Sequence, residues 1–174
     1  MRRLWLLRHA KSSWDDPQLG DADRPLSKRG RRAGEAMRHY LEDAGVRPDL
    51  VLCSSALRTR ETLAEVLPGL GRELHVRIEP RLYAFSAKEL LDRLVEVPDD
   101  ALSVLLVGHN PAVEDLARKL AREGDRLADL QGKFPTAALA LLDLEVDSWS
   151  ALRPRCGVLA AFVTPAELDP GAEG

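Results

Sequence analysis

Cysteine is scarce in this chain, which has two, Cys53 and Cys156, among its 174 residues. Two cysteines are too few for a disulfide framework, and both lie in or next to apolar runs, so we interpret them as reduced core thiols. No pair has CxxC spacing, and no group of histidines and cysteines has the spacing of a zinc site. The sequence therefore excludes a fold that depends on disulfides, and it predicts no metal site.

Long hydrophobic runs are absent as well. The apolar stretch near the N-terminus, Leu4–Leu7, is far too short for a signal peptide or a membrane span. We therefore expect a cytoplasmic protein that has no membrane partner.

An excess of charge of one sign is also missing. The chain has 25 Lys and Arg against 28 Asp and Glu, which gives a formal net charge of −3. Proteins that bind nucleic acid through its phosphates are more basic than this, at least locally. The basic run within residues 28–32 has no interleaved aromatic side chains, so it is typical of a solvated helix face. We predict no nucleic-acid partner.

What is present is an alternation of short apolar runs with helical spacing. Strands are predicted at the apolar runs Leu4–Leu7, Leu50–Cys53, Leu74–Ile78, Leu102–Val107, Ala137–Val146, Trp149–Arg153 and Gly157–Val163. Helices are predicted where apolar residues recur every three or four positions, over residues 27–44, 63–70, 87–95 and 113–121. This order predicts an α/β fold: a three-layer α/β/α sandwich with a mostly parallel sheet and helices on both faces. For the closing strands, the sequence leaves both a parallel and an antiparallel arrangement open.

The length fits one domain, which we expect over residues 1–164. The last segment, residues 165–174, is polar and contains proline and glycine. Such a composition at a terminus is typical of a frayed segment. We therefore expect residues 165–174 to form a flexible tail.

Polar clusters directly follow three of the predicted strands. Arg8 and His9 follow the first strand, Arg58 lies just beyond the second, and His109 follows the strand Leu102–Val107. In open α/β sheets, ligands bind beyond the carboxyl ends of the strands. We therefore expect the three clusters to lie at one edge of the sheet.

The chemistry of these residues suits an oxyanion. Two histidines and two arginines without a cluster of carboxylates or thiolates make a poor metal site, whereas arginine binds phosphate oxygens through its planar fork. Neighbouring arginines disfavour the charged form of a histidine and so lower its pKa. A neutral imidazole has a free lone pair that can attack phosphorus and form a covalent phosphoenzyme.

Four segments resemble, in family order, the signature segments of the histidine phosphatase superfamily. Leu7–Ser12 is similar to the RHG-type signature, with Ala10 in place of the usual glycine. The other three are the segment Arg24–Ser27 with Arg29 and Gly30, the second-arginine segment Ser54–Thr62, and the second-histidine segment Val107–Pro111. Residues 133–141 also resemble the late strand of the SixA-type phosphohistidine phosphatase branch. The short length and the RHAKSSW opening fit that branch better than the cofactor-dependent phosphoglycerate mutases.

The resemblance implies a phosphoglycerate mutase-like fold and a set of roles. It implies His9 as the nucleophile, with Arg8 and Arg58 as phosphate ligands. It also implies His109 as a further ligand in the pocket and Arg24 as a phosphate-pocket residue that binds substrate. It implies no metal and no organic cofactor. The implied partner is a phosphate-bearing substrate, with a phosphohistidine protein as the leading candidate.

One departure from the family pattern bears on the substrate. Many members carry an acidic general acid between the second-arginine and second-histidine segments. Here Arg81 stands where that acid is expected, and Pro80 separates it from Glu79. We therefore assign no general acid, which favours phosphohistidine because imidazole leaves more readily than an alkoxide. The alternatives are a small-molecule phosphomonoesterase of the same superfamily and a non-catalytic phosphate-binding or interaction module.

Overall fold

In the computed structural model, which describes residues 1–172, the strands all belong to one sheet. They are β1 (Arg2–Arg8), β2 (Leu50–Ser54), β3 (His75–Glu79), β4 (Ser103–Gly108), β5 (Ala121–Glu123), β6 (Leu139–Leu144) and β7 (Gly157–Val163). The α-helices are α1 (Lys28–Asp43), α2 (Leu57–Val66), α3 (Ala87–Leu94), α4 (Ala112–Leu120), α5 (Leu127–Gly132) and α6 (Pro165–Leu168).

The sheet has the strand order β3-β2-β4-β1-β6-β7-β5. Strands β3, β2, β4 and β1 run parallel to one another, whereas β6 is antiparallel to both of its neighbours, β1 and β7. Strand β5 is parallel to β7. The predicted mostly parallel sheet is therefore confirmed, and β6 makes the antiparallel contacts among the closing strands.

The side chains of β1 show why helices cover both faces of the sheet. Successive side chains of a strand point to opposite faces. Leu4 and Leu6 therefore pack into the core that contains α3, α4 and α5, while Trp5 and Leu7 pack into the core that contains α1 and α2. All four side chains are buried, so the strand stabilises two separate apolar layers. The predicted three-layer sandwich is confirmed.

The strand order brings the three polar clusters together, because β4 lies between β1 and β2. Leu7 of β1 and Cys53 of β2 are both paired with Val107 of β4, so the three strands end at the same level. The backbone N–H of His9 then donates to the carbonyl of Gly108, with a nitrogen–oxygen distance of 3.0 Å. The predicted meeting of the clusters at one edge of the sheet is confirmed.

The prediction of a strand over Trp149–Arg153 is wrong. This segment is a short 3-10 turn, Trp149–Ala151, and the Trp149 side chain is fully buried. Its indole N–H donates to the carbonyl oxygen of Ala101 at 2.7 Å. The apolar character of the segment therefore reflects one large anchoring side chain and not a strand. Strand β5 and helix α5 were not predicted, because each is too short for a periodic pattern to stand out.

The C-terminal segment also differs from the predicted flexible tail. Residues 165–168 form α6, whose start is capped by Thr164 and Glu167 through reciprocal hydrogen bonds. The carboxylate of Asp169 accepts two hydrogen bonds from the guanidinium of Arg32 on α1, at 2.7 and 2.9 Å. Ala172 is buried in a small apolar cluster. The ordering contacts are specific pairings with α1, which composition does not reveal; residues 173 and 174 lie outside the described residues.

No helix among residues 1–172 combines the length and the apolar character that a membrane span requires.

Gly30 on α1 lies where the helix meets the loop after β1. A β-carbon at this position would lie 2.1 Å from the carbonyl oxygen of Lys11, closer than two such atoms can approach. We predict that Gly30→Ala destabilises the protein by about 1–3 kcal/mol, the usual cost of overpacking. Chemical denaturation measures the change. Gly132→Ala is the matched control, because a β-carbon at Gly132 meets nothing within 4 Å; equal stability of the two variants would contradict the prediction.

Candidate active site

His9 lies one residue beyond the end of β1, and 8% of it is exposed. Its Nδ1 is 2.7 Å from the carbonyl oxygen of Ala10. A carbonyl oxygen only accepts hydrogen bonds, so we assign the ring proton to Nδ1. The assignment leaves Nε2 with a free lone pair, as a nucleophile needs.

The surroundings of His9 keep its imidazole neutral. The pKa of His9 is lowered from 6.5 to about 4, and burial is the largest cause. The positive charges of Arg58, Arg8 and Arg24 contribute to this shift, and the hydrogen bond to Ala10 opposes it. The lone pair on Nε2 is therefore available at neutral pH.

His109 faces His9 from the end of β4, with 5.3 Å between the ring centroids. Burial is the main cause that lowers the pKa of His109 to about 3, and the charges on Arg58 and Arg8 act in the same direction. Its Nε2 lies 2.7 Å from the hydroxyl of Ser54, and that hydroxyl also accepts the N–H of Ala56. His109 Nε2 is the one acceptor within hydrogen-bond distance of the Ser54 hydroxyl among residues 1–172, so we assign the Ser54 proton to this bond and the proton of the neutral ring to Nδ1. This Nδ1 is buried and has no partner among residues 1–172, so it can donate to a ligand.

Arg8 and Arg58 are anchored at their outer nitrogens. Arg58, in the first turn of α2, donates from Nη1 to the main-chain oxygen of Asp21 at 2.7 Å and from Nη2 to its carboxylate at 3.0 Å. Arg8 donates from Nη1 to the carbonyl oxygen of Phe134 at 2.9 Å. The Nε atoms of both arginines are buried and unpartnered within residues 1–172. Each guanidinium is thereby fixed, and most of the five N–H donors of each arginine make no hydrogen bond among residues 1–172.

Arg24 is also buried, but all three of its guanidinium nitrogens have protein partners. Its Nη1 donates to the hydroxyl of Ser12 at 2.6 Å, while Nε and Nη2 donate to a carboxylate oxygen of Asp21 at 3.3 and 3.1 Å. The indole ring of Trp14 stacks on it, 3.6 Å from the guanidinium carbon. Arg24 therefore contributes positive charge to the pocket, and its direct contacts go to Asp21 and Ser12.

The segment that follows β3 presents no free carboxylate to the site. Glu79 accepts two hydrogen bonds from the buried guanidinium of Arg93, at 2.7 and 2.9 Å, and this pairing lowers the pKa of Glu79. Arg81 points away to Glu96 on the surface. The side chain that does reach the site is Tyr83, whose ring meets the His109 ring edge-on at 5.2 Å.

Sequence reasoning found the histidines and arginines but missed the residues that hold them. The sequence predicts no role for Asp21, Tyr83 or Ser54. Asp21 follows no strand and shares its loop with Asp15, Asp16 and Asp23, so composition could not single it out. The signal that could have found it is its position three residues before Arg24, which puts it near the implied pocket.

The donors around His9 suit an anion. They are guanidinium and imidazole N–H groups, whereas Mg²⁺ and Ca²⁺ bind through oxygen ligands. Residues 1–172 contain no group of three or more His, Cys, Asp or Glu side chains that could hold a metal ion.

We predict that His9 is neutral above about pH 5. Because the unfolded chain takes up this proton near pH 6.5 and the folded protein only near pH 4, lowering the pH through that window should lower the free energy of unfolding. NMR titration of the ring nitrogens should show protonated Nδ1, unprotonated Nε2 and a midpoint below pH 5. His9→Asn should make the free energy of unfolding less dependent on pH; a midpoint at or above pH 6.5 would contradict the assignment.

Comparison with known proteins identifies the family. Residues 4–89 match the model of the histidine phosphatase superfamily (branch 1). An uncharacterized protein of Mycobacterium tuberculosis is 33% identical over 166 residues, 91% of this chain and 99% of that protein. The adenosylcobalamin/alpha-ribazole phosphatase of Escherichia coli is 39% identical over 82 residues, 46% of this chain and 38% of that protein.

A solved structure extends the similarity to nearly the whole chain. The candidate phosphohistidine phosphatase SixA from Agrobacterium tumefaciens is 31% identical and superimposes with a TM-score of 0.79, over 94% of this chain and 98% of that chain. The family resemblance of the motif segments is thereby confirmed. This chain belongs to the histidine phosphatase superfamily.

Proposed function

We propose that this phosphatase removes phosphate from phosphohistidine on a protein, through a covalent intermediate on His9. The observation that carries the proposal is a neutral, buried nucleophile beside an anion pocket. The Nδ1–H of His9 is bonded to Ala10, and buried nitrogens of Arg8, Arg58 and His109 are unpartnered within residues 1–172. Such donors stabilise the oxygens of a phosphoryl group during transfer.

In the first step, the phosphoryl oxygens bind to Arg8, Arg58 and His109. The Nε2 lone pair of His9 attacks phosphorus, and the bond between phosphorus and the substrate nitrogen breaks. The electron pair of that bond goes to the leaving imidazole, which takes a proton from water. The phosphorylated ring of His9 gains positive charge, which the carbonyl oxygen of Ala10 stabilises through the proton on Nδ1.

In the second step, water attacks the phosphorus atom of phosphorylated His9. The bond from phosphorus to Nε2 breaks, its electron pair returns to the ring, and the attacking water loses a proton to solvent. Inorganic phosphate leaves, and His9 is again neutral with its proton on Nδ1. The same arginines bind the oxygens in both steps, so one pocket serves formation and breakdown of the intermediate.

The carboxylates near the site support a phosphohistidine substrate. Asp21 is ionised because hydrogen bonds from Tyr83 and from Arg58 lower its pKa to about 2, and Glu79 is paired with Arg93. Neither carboxylate holds a proton that it could give to a leaving group at neutral pH. An alkoxide leaving group requires such a proton, whereas imidazole can take one from solvent.

The mouth of the site supports a substrate carried on a protein. Trp14 is 75% exposed, and Phe85, whose ring lies 5.4 Å from that of His109, is 45% exposed. The connections over residues 9–27 and 80–86 contain short 3-10 turns and no α-helix that could act as a lid. Enzymes for small phosphate esters gain from enclosing the substrate and excluding water, and an open mouth lacks that advantage.

We predict turnover of p-nitrophenyl phosphate in the presence of a chelator, because arginines supply the charge that a metal ion would otherwise bring. Rapid quenching should trap acid-labile, base-stable phosphate on His9. His9→Ala should abolish turnover and labelling. The control His39→Ala, at an exposed site on α1, should change neither.

Phosphate on a residue other than His9, or activity that requires Mg²⁺, would contradict the mechanism. Absence of turnover on this substrate and on phosphohistidine would favour a phosphate-binding module.

We predict that a phosphohistidine protein or peptide has a higher kcat/KM than small phosphate esters such as 3-phosphoglycerate. The physical reason is the better leaving group together with the open mouth of the site. Steady-state assays under matched buffer and pH measure the ranking. The reverse ranking would favour a small-molecule phosphomonoesterase and leave the role of His9 unaffected.

A further inference from the structure

Asp21 connects three parts of the site that the chain otherwise keeps apart. Its main-chain and carboxylate oxygens accept from both outer nitrogens of Arg58 on α2. Its second carboxylate oxygen accepts from Arg24, on the same loop. The hydroxyl of Tyr83, from the segment after β3, donates to the carboxylate oxygen that Arg58 also contacts. One side chain thus joins the loop, α2 and the segment after β3.

The contacts of Asp21 restrain the orientation of the Arg58 guanidinium. Both Nη atoms of Arg58 are bonded to Asp21, while its Nε is buried and unpartnered within residues 1–172. An arginine has several rotatable bonds, so its guanidinium keeps one orientation only where partners restrain it. Asp21 is the residue that provides this restraint.

Arg24 in turn restrains Asp21. The guanidinium of Arg24 is fixed between the hydroxyl of Ser12 and the indole of Trp14, and it contacts the carboxylate of Asp21 through two nitrogens. The carboxylate of Asp21 is nearly half exposed, so it depends on these donors for a single orientation. The restraint on Arg58 therefore passes from Arg24 through Asp21.

We propose that Asp21 is a positioning residue that aligns Arg58 for phosphoryl transfer and that it donates no proton to the leaving group. This inference rests on the proposed function, because it assumes that phosphate binds beside Arg58. A carboxylate in this place has two other possible roles, a general acid and an anion that competes with phosphate. The three roles predict different effects of the same substitution.

Positioning predicts a loss in kcat that is independent of the leaving group. We expect Asp21→Ala to lower kcat roughly 10²-fold, the scale of a misplaced group in an active site, with a much smaller change in KM. The factor should be equal for p-nitrophenyl phosphate and for phenyl phosphate, whose leaving group is poorer. A general acid would make the loss much larger for phenyl phosphate, and a competing anion would make the variant faster; either result would overturn the proposal.

A double-mutant cycle tests whether Asp21 acts through Arg58. In the Arg58→Ala background, Asp21→Ala should cause little further loss of p-nitrophenyl phosphate turnover, because the residue that it aligns is gone. Additive losses would overturn the proposal. Asp21→Asn should lose less than Asp21→Ala, since an amide oxygen can still accept from one arginine. Asp23→Asn is the matched control: its carboxylate is exposed in the same 3-10 turn and makes no ion pair within residues 1–172, so it should keep wild-type kcat.

Crystal structures separate this inference from the proposed function. In Asp21→Ala, with or without vanadate, the Arg58 guanidinium should leave its wild-type position or occupy several orientations, while His9 stays in place. An Arg58 that keeps its single orientation would overturn the inference, whatever the activity of the wild-type protein. Failure of the wild-type protein to bind vanadate or to turn over any phosphate would instead contradict the proposed function.

Discussion

Burial of positive charge next to two histidines is the constraint on which the site depends. Arg58 and Arg24 are each less than 10% exposed, and a buried guanidinium is costly unless its hydrogens find acceptors. The acceptors are the main-chain carbonyl and the carboxylate of Asp21 and, for Arg24, also the hydroxyl of Ser12. Burial together with the nearby cations keeps His9 and His109 uncharged. The environment that holds a phosphate thus also prepares the nucleophile.

The sheet makes this concentration of charge possible. Because β4 lies between β1 and β2, the three strands end at the same level. The polar residues that follow them therefore lie at the same edge of the sheet. The close approach of Gly30 to Lys11 then lets α1 begin directly against the loop that carries Asp21 and Arg24. A rigid scaffold of buried strands thereby carries a site that is built largely on loops and helix starts.

The protonation states of the side chains in the site limit the reactions for which the site is suited. The carboxylates near His9 are ionised and bonded to arginines, so the site is rich in donors that bind oxyanions and poor in acids that assist a leaving group. Such a pocket suits the transfer of a phosphoryl group from a nitrogen leaving group that can take its proton from solvent. Under the proposed function, the open, aromatic mouth around Trp14 and Phe85 leaves room for the protein that carries the phosphohistidine.

The sequence by itself determined the layered α/β fold and the histidine and arginine clusters, because apolar periodicity and polar strand ends are local features. It could not identify Trp149–Ala151 as a turn or residues 165–172 as ordered, since single contacts with Ala101 and Arg32 decide both. The position of Arg24 indicates the neighbourhood of Asp21 but not the residue itself, because Asp21 gains its place from Arg58 and Tyr83, residues far away in the chain. Which of several similar carboxylates faces the arginines is decided by tertiary structure, because it depends on where the loop meets α2.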